Sequence, residues 1–242
     1  MPRSRPTLFL LFVAMAVLWP AFASAQEVTL DLGDEGSLTA RTFQLIALIT
    51  LLSLAPGLAV MVTCFPFVVT VLSILRQAIG LQASPPNMLI VSLALFLTYF
   101  VMAPVFEEAY ATGIAPLIAG DLTPDAAIPL IYEPFRGFML NRVDQSTLVS
   151  LAELRPGTDA ENPDASVLIP SFMLSEVERA FQIGFLIFLP FLVIDLVVAA
   201  ILMSMGMMMV PPAIVSLPFK LAFFVVADGW ALITGALVRS YF

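Results

Sequence analysis

Between Arg41 and Arg76 no residue carries a charge. The run from Thr42 to Leu75 exceeds the roughly 20 residues that one helix needs to cross a bilayer. It predicts one long helix, kinked or broken near Pro56-Gly57 and Pro66, because an interior proline removes a backbone hydrogen bond and clashes with the preceding turn. Three further apolar blocks follow: Asn87 to Phe106, Ala180 to about Met205, and about Ala213 to Val238. Pro85-Pro86 precedes the second block and Pro211-Pro212 separates the third from the fourth. Proline starts a helix well, since its missing N–H is not needed there. The expected class is all-α: a membrane-associated protein of two long helical hairpins, with Pro85-Pro86 and Pro211-Pro212 at the hairpin turns.

Composition agrees. The chain is 60% hydrophobic and 12% charged, against roughly 45–50% and about 25% in soluble domains. The net charge of −8 is confined to one segment: residues 107–179 hold twelve acidic and four basic side chains, 4 − 12 = −8. Such a balance offers no basic footprint for nucleic acid. The chain has no histidine and a single cysteine, Cys64. That inventory excludes a zinc site, a Cys–His or Ser–His pair and an internal disulfide. Cys64, in the apolar run VTCFPFVV, reads as a small packing residue. No glycine pattern forms a phosphate-binding loop, and no cofactor or metal is expected.

The N-terminus has the pattern of a secretory signal peptide: Arg3 and Arg5, an apolar stretch from Leu8 to Leu18, then Ala23-Ser24-Ala25. Cleavage is expected before Gln26. The organisation then reads as a signal peptide (1–25), a short extracytoplasmic lead (26–41), a first hairpin (42–106), an acidic periplasmic segment (107–179) and a second hairpin (180–242). Within the acidic segment, 130–142 has the spacing of an amphipathic helix, and 153–166 that of a mobile loop.

Asp195, Lys220 and Asp228 sit inside apolar blocks, where ionisable residues are costly and mark functional candidates. Lys220 and Asp228 are eight apart, which puts them on one face of a continuous helix. Two readings follow: a buried charge pairing that fixes helix or subunit contacts, or a relay in an ion-coupled secondary transporter. A relay is the weaker reading without a histidine, the side chain that titrates near neutrality. An aspartyl protease is disfavoured, since its carboxylates must share a proton and a neighbouring lysine keeps both ionised. No enzymatic role is expected.

Five methionines crowd residues 203–209: Met203, Met205, Met207, Met208 and Met209. Methionine is flexible and specifies a packed core poorly. Three consecutive side chains on a helix point in three directions, so one chain does not bury them all. Copies arranged about an axis would offer soft apolar side chains to a central gap. Such a constriction resists water and ions by dewetting.

"RQAIGLQASPPN" (76–87), "LALFLTYFVMAP" (93–104) and "FQIGFLIFLPFLVIDLVVAAILMSMGMMMVPPAIVSLPFKLAFFVVADGW" (181–230) resemble the FliP family of type III secretion export-gate subunits, in its flagellar branch. The resemblance spans nearly all of the chain after the signal peptide. It implies a pentameric ring that combines with the subunits FliQ and FliR into a helical pore complex. It implies passage of unfolded flagellar proteins through the bacterial inner membrane at the flagellar basal body. It also implies that Met207, Met208 and Met209, flanked by Met203 and Met205, form a gasket around the closed pore, and that Asp195 and Lys220 are buried interface charges.

Overall fold

In the computed structural model of the protein, residues 35–81, 85–155, 157 and 159–242 are described, without the side chains of residues 35–40 and Ala55. The expected signal peptide and most of the lead lie outside the described residues. Every regular element among the described residues is helical.

Helix α1 spans Glu35–Met61 and contains Pro56 without a break. Up to Leu51 it forms a unit of its own, and its described side chains there are exposed. Of the two interruptions expected, near Pro56-Gly57 and near Pro66, there is a break only beside Pro66, at residues 62–64. There the Thr63 hydroxyl donates to the Val60 carbonyl at 3.0 Å. Pro66 lies in the first turn of helix α2, Phe65–Ile79, where a proline leaves no helical bond unmade.

Helix α2 is the centre of the main core. Phe67, Val68, Val71, Leu72, Leu75, Ala78 and Ile79 are buried, at the i, i+1, i+4, i+5 spacing of a broad apolar face. That face meets helix α3, Asn87–Ala109, and helix α7, Ala165–Ser204. Cys64 is fully buried there. Close approach of α2 and α7 requires Gly184: a Cβ at that position falls 2.4 Å from Ile74 Cδ1 and 3.1 Å from its Cγ2. Gly184→Val is therefore expected to cost about 1–3 kcal/mol through overpacking, read as a lower thermal unfolding midpoint of the full chain in detergent. An unchanged midpoint contradicts this packing.

The second apolar block does not end at Phe106. Helix α3 continues through a π-helical turn, Tyr110–Ile114, into helix α4, Ala115–Ala119. At that turn Gly113 is buried, and a Cβ there meets Ile131 at 2.4 Å. Ile131 belongs to helix α5, Pro124–Leu140, which covers most of the amphipathic stretch expected at 130–142. Helix α6, Gln145–Glu153, is capped by Asp144, whose carboxylate accepts from the Thr147 N–H at 2.9 Å. Hydrogen bonds from the Ser146 hydroxyl, first, and from Thr147 hold that carboxyl below the usual carboxylate range. The cap is thus present above the ordinary carboxylate pKa and lost as pH falls through the lowered one. The stretch 153–166, expected to be a loose loop, is tied down in part: the Arg136 guanidinium donates to Asn162 Oδ1 at 2.6 Å.

Helix α7 begins at Ala165, well before the expected Ala180. The physical reason is a second core. Val167, Leu168 and Phe172 on its first turns are buried against Met139, Val143, Leu148 and Ala152 of the α5–α6 region. One helix therefore packs first against a small helical subdomain and then runs on through the apolar block. Helix α8 spans Pro212–Val226 and helix α9 Gly229–Arg239. The two are bent by 61° at Ala227-Asp228. Asp228 adopts a left-handed backbone, φ 49°, and Gly229 sits so close to Phe224 that a Cβ falls 2.2 Å from the ring.

Among the described residues, three helical stretches are long and apolar enough to cross a membrane: Arg41–Met61, Asn87–Ala119 and Ala165–Ser204. The bent pair α8–α9 makes a fourth if it counts as one span. Large apolar side chains stand exposed along all of them, among them Phe43, Leu52, Phe96, Phe181, Phe185 and Leu196. Water-exposed apolar patches on soluble monomers rarely exceed a few hundred Å². These faces are therefore built for lipid or for protein neighbours.

Candidate functional site

The Met-rich stretch is the turn between α7 and α8, and its backbone is tightly specified. Helix α7 ends at Ser204, Met205 follows as C-cap, and Gly206 takes φ +75°. The Met207 N–H donates to the Leu202 carbonyl at 2.9 Å and the Gly206 N–H to Met203 at 3.0 Å. These are the two bonds of a Schellman motif, which satisfies carbonyls that a helix end leaves bare and favours glycine at the left-handed position. Pro211 and Pro212 then start α8, Pro212 in its first turn. Pro85 and Pro86 precede α3 one residue further out, with Pro86 as its N-cap residue and Asn87 as its first helical residue.

All five methionines are exposed, and they divide by what they touch. Met205 and Met207 line an apolar groove of about 510 Å³ between α7 and α8, together with Val193, Val197, Ile201 and Phe219. Met208 and Met209 project from the tip, 82% and 95% exposed. Met203 is also exposed, on the last turn of α7. Three consecutive methionines do face different surroundings, as their spacing requires.

About 15 Å back along α7, ten residues at 1.5 Å each, a charge pair ties three helices together. The Lys220 ammonium donates to Asp195 Oδ2 at 2.6 Å and to the Ala78 carbonyl at 3.1 Å. The Ser216 hydroxyl donates to Asp195 Oδ1 at 2.5 Å. Lys220 and Ser216 are buried, while the Asp195 side chain is 31% exposed. Ser216 and Lys220 are four apart on α8, so both reach the same carboxylate on α7. Ala78 lies in the last turn of α2, where carbonyls lack helical partners and the helix dipole is negative. A cation is the fitting partner for both.

Asp228 does not join them. It was expected two helical turns from Lys220 on one face. Helix α8 ends at Val226, and the left-handed turn leaves Asp228 exposed with no ion-pair partner among the described residues. The three-member relay of the transporter reading is thus not assembled within the chain. On α7, Phe181 and Phe185 are exposed, whereas Phe188 packs against the main core.

One buried charge escaped sequence reasoning. Glu176 is fully buried in the first third of α7. Its Oε1 receives Arg142 Nε at 3.0 Å and lies 3.5 Å from Arg179 Nη1. Its Oε2 receives the Tyr241 hydroxyl. Arg142 also donates to the Ser240 carbonyl at 2.6 Å and lies 3.9 Å over the Tyr241 ring. Burial, and next the charge of Glu176, push the Tyr241 phenol far above its usual range, so it remains a donor. Phe67 and Phe138 complete the aromatic box around Tyr241, at 5.6 and 6.0 Å. The node fastens the C-terminus to α2, α5 and α7. A sequence signal existed: Leu168, Phe172 and Glu176 follow at i, i+4 and i+8, which places the carboxylate on the buried stripe.

No cluster of His, Cys, Asp or Glu among the described residues could hold a metal ion. The architecture is therefore that of an all-helical membrane protein whose distinctive features are a methionine tip and buried inter-helix ion pairs. The sequence model of the FliP family matches residues 48–237, and the chain belongs to that family. It is 52% identical to the flagellar biosynthetic protein FliP of Caulobacter vibrioides, over 95% of this chain and 87% of that protein. It is 46% identical to the protein of that name in Agrobacterium fabrum, over 96% and 98%, and 43% identical to the one in Bacillus subtilis, over 83% and 92%. The chain is accordingly a membrane component of flagellum biogenesis and protein export.

Proposed function

We propose that this chain is a subunit of the protein-conducting channel of the flagellar export gate, that copies of it close a pentameric ring with FliQ and FliR, and that their methionine tips seal the pore between passages. The ring sits at the basal body in the inner membrane. The central segment, 107–179, faces the periplasm, and unfolded flagellar proteins pass through the centre. The chain performs no chemistry of its own; the energy for export comes from other components.

The observation that carries this reading is the pair Met208 and Met209, almost fully exposed on a backbone fixed by a Schellman turn and two prolines. A rigid stalk with soft apolar ends suits a seal that must fit an irregular hole and yield to a passing chain. The exposed faces of α3, α7 and α8 supply surface for neighbours. Asp195 and Lys220, paired within one chain, hold the stalk helices in register.

The test replaces Met207, Met208 and Met209 together by alanine and follows small-ion leak across the inner membrane alongside export of a flagellar subunit. Leak with export retained is expected. An intact ring with no leak overturns the seal. Met208→Ala with Met209→Ala is expected to give most of that leak.

A further inference from the structure

We infer that residues 208–215, which carry Met208 and Met209, form a hinged strap that flexes at Pro218 against a fulcrum at the end of α2, and that this flexing opens and closes the methionine tip. The functional half of the inference rests on the seal reading above. The mechanical half rests on the fold alone.

The strap is anchored at both ends. At Met207 the Schellman turn holds it to α7, through the N–H bond to the Leu202 carbonyl at 2.9 Å. At the other end, α8 meets the body of the fold at three positions. Ser216 is buried and donates to Asp195. Lys220 reaches the Ala78 carbonyl in the last turn of α2. Leu217 lies against Gly80, the left-handed C-cap of α2, so near that a Cβ on the glycine would meet Leu217 Cδ1 at 3.5 Å. The end of α2 is itself held. Arg76 donates to the Pro85 carbonyl at 3.4 Å and to Asn87 Oδ1, which staples it to the start of α3. The fulcrum is therefore part of the packed core and not a free end.

Between the anchors the chain stands away from that core. Met208, Met209, Pro211, Pro212, Ala213 and Ile214 are all exposed. Val215 lines the open groove of about 510 Å³ beside α7, which leaves the start of α8 room to move. The weak turn lies at the anchor. Pro218 is inside α8; it has no N–H to return to the Ile214 carbonyl, and its ring crowds that carbonyl. Sharp helix bends form at such prolines. Pro218 is exposed, so its ring fills no part of the core. A proline that costs helix stability and adds no burial is accounted for where the helix must bend. Hinges are built in this way, from a few residues near the end of an element that absorb the change while the rest stays packed.

Spin labels at Gln77→Cys and Met208→Cys measure the strap against the fulcrum by pulsed electron resonance. The assembled complex is used in membranes, with labelled chains diluted by unlabelled ones. Cys64 is fully buried, and Gln77 and Met208 are exposed, so the labels go to the two introduced thiols. A broad distance distribution is expected. Pro218→Ala restores the missing bond and is expected to narrow it, while Leu217→Ala loosens the fulcrum and is expected to broaden it. Export in Pro218→Ala is expected to slow about fivefold, the net worth of one backbone hydrogen bond that flexing must now break. Its small-ion leak stays at the level of the unaltered chain, whereas Leu217→Ala raises the leak with the ring intact. Should Leu217→Ala fail to assemble, Pro218→Ala, at an exposed site, decides alone. A distribution that Pro218→Ala leaves unchanged overturns the strap. Narrowing with neither export nor leak altered keeps the hinge and overturns the seal reading from which its function was drawn.

Discussion

Glu176→Gln is expected to lower the stability of the chain by roughly 3 kcal/mol, near the lower end of the 3–5 kcal/mol that follows when a buried ion pair loses one partner. The change is close to isosteric, so no cavity contributes. What it removes is the negative charge that two guanidinium groups require. Arg142 suffers most, because its side chain is only 14% exposed and its Nε bond at 3.0 Å goes to Glu176. Arg179 is 33% exposed and loses little, as water replaces the carboxylate. The Tyr241 hydroxyl still finds an amide oxygen to donate to. The order of effects is therefore Glu176→Gln first, then Tyr241→Phe, which removes one charge-assisted hydrogen bond of about 1.5–3 kcal/mol, then Arg179→Gln near zero. The measurement is the thermal unfolding midpoint of the full chain in detergent, paired with amide hydrogen exchange of Ser240 and Tyr241. Faster exchange is expected, because the node is what holds Ser240 and Tyr241. A midpoint for Glu176→Gln at or above that of the unaltered chain removes the node from any role in stability.

That node also shows where sequence reasoning stops. The helical class was legible because the apolar blocks are long, and length alone decides between a span and a loop. The tip was legible from Gly206 and the two prolines, which can occupy few backbone conformations. Asp195 and Lys220 stood out because a charge in an apolar block is conspicuous. Glu176 was hidden by the opposite circumstance: it lies among eleven other acidic residues of 107–179, and charge counting treats all twelve alike. Only the stripe formed with Leu168 and Phe172 separates it from its solvated neighbours. Asp228 failed for a different reason. The turn dipeptide Asp228-Gly229 was there to be read, but the apolar residues on both sides favour an unbroken helix, and a helix assumed to continue puts Asp228 under Lys220. The start of α7 was misplaced because hydropathy marks where a helix becomes uniformly apolar, not where it begins. Residues 165–179 are amphipathic and bury one face in the smaller core.

Lys220→Met is the second large effect, expected to cost about 2–3 kcal/mol. A fully buried pair that loses one partner costs 3–5. The figure here is reduced because the Asp195 side chain is 31% exposed and keeps its hydrogen bond from Ser216. The Ala78 carbonyl loses its cation at the same time. The loss should appear as loosening of α2 and α8 from α7, measured as a missing ring on a native gel and a lower unfolding midpoint. The informative partner is Asp195→Leu combined with Lys220→Met. If the pair serves register alone, replacing both charges by apolar groups restores much of the lost stability, as replacement of buried ion pairs often does. The double-mutant cycle then shows a coupling of at least 1 kcal/mol, within the range of contacting residues. A proton or ion relay gives the reverse pattern. Lys220→Met then assembles a normal ring and loses transport, and the apolar double variant assembles equally well and transports nothing. Assembly and transport therefore separate the two roles of the same lysine, and a ring that forms normally in Lys220→Met while export fails refutes the structural role.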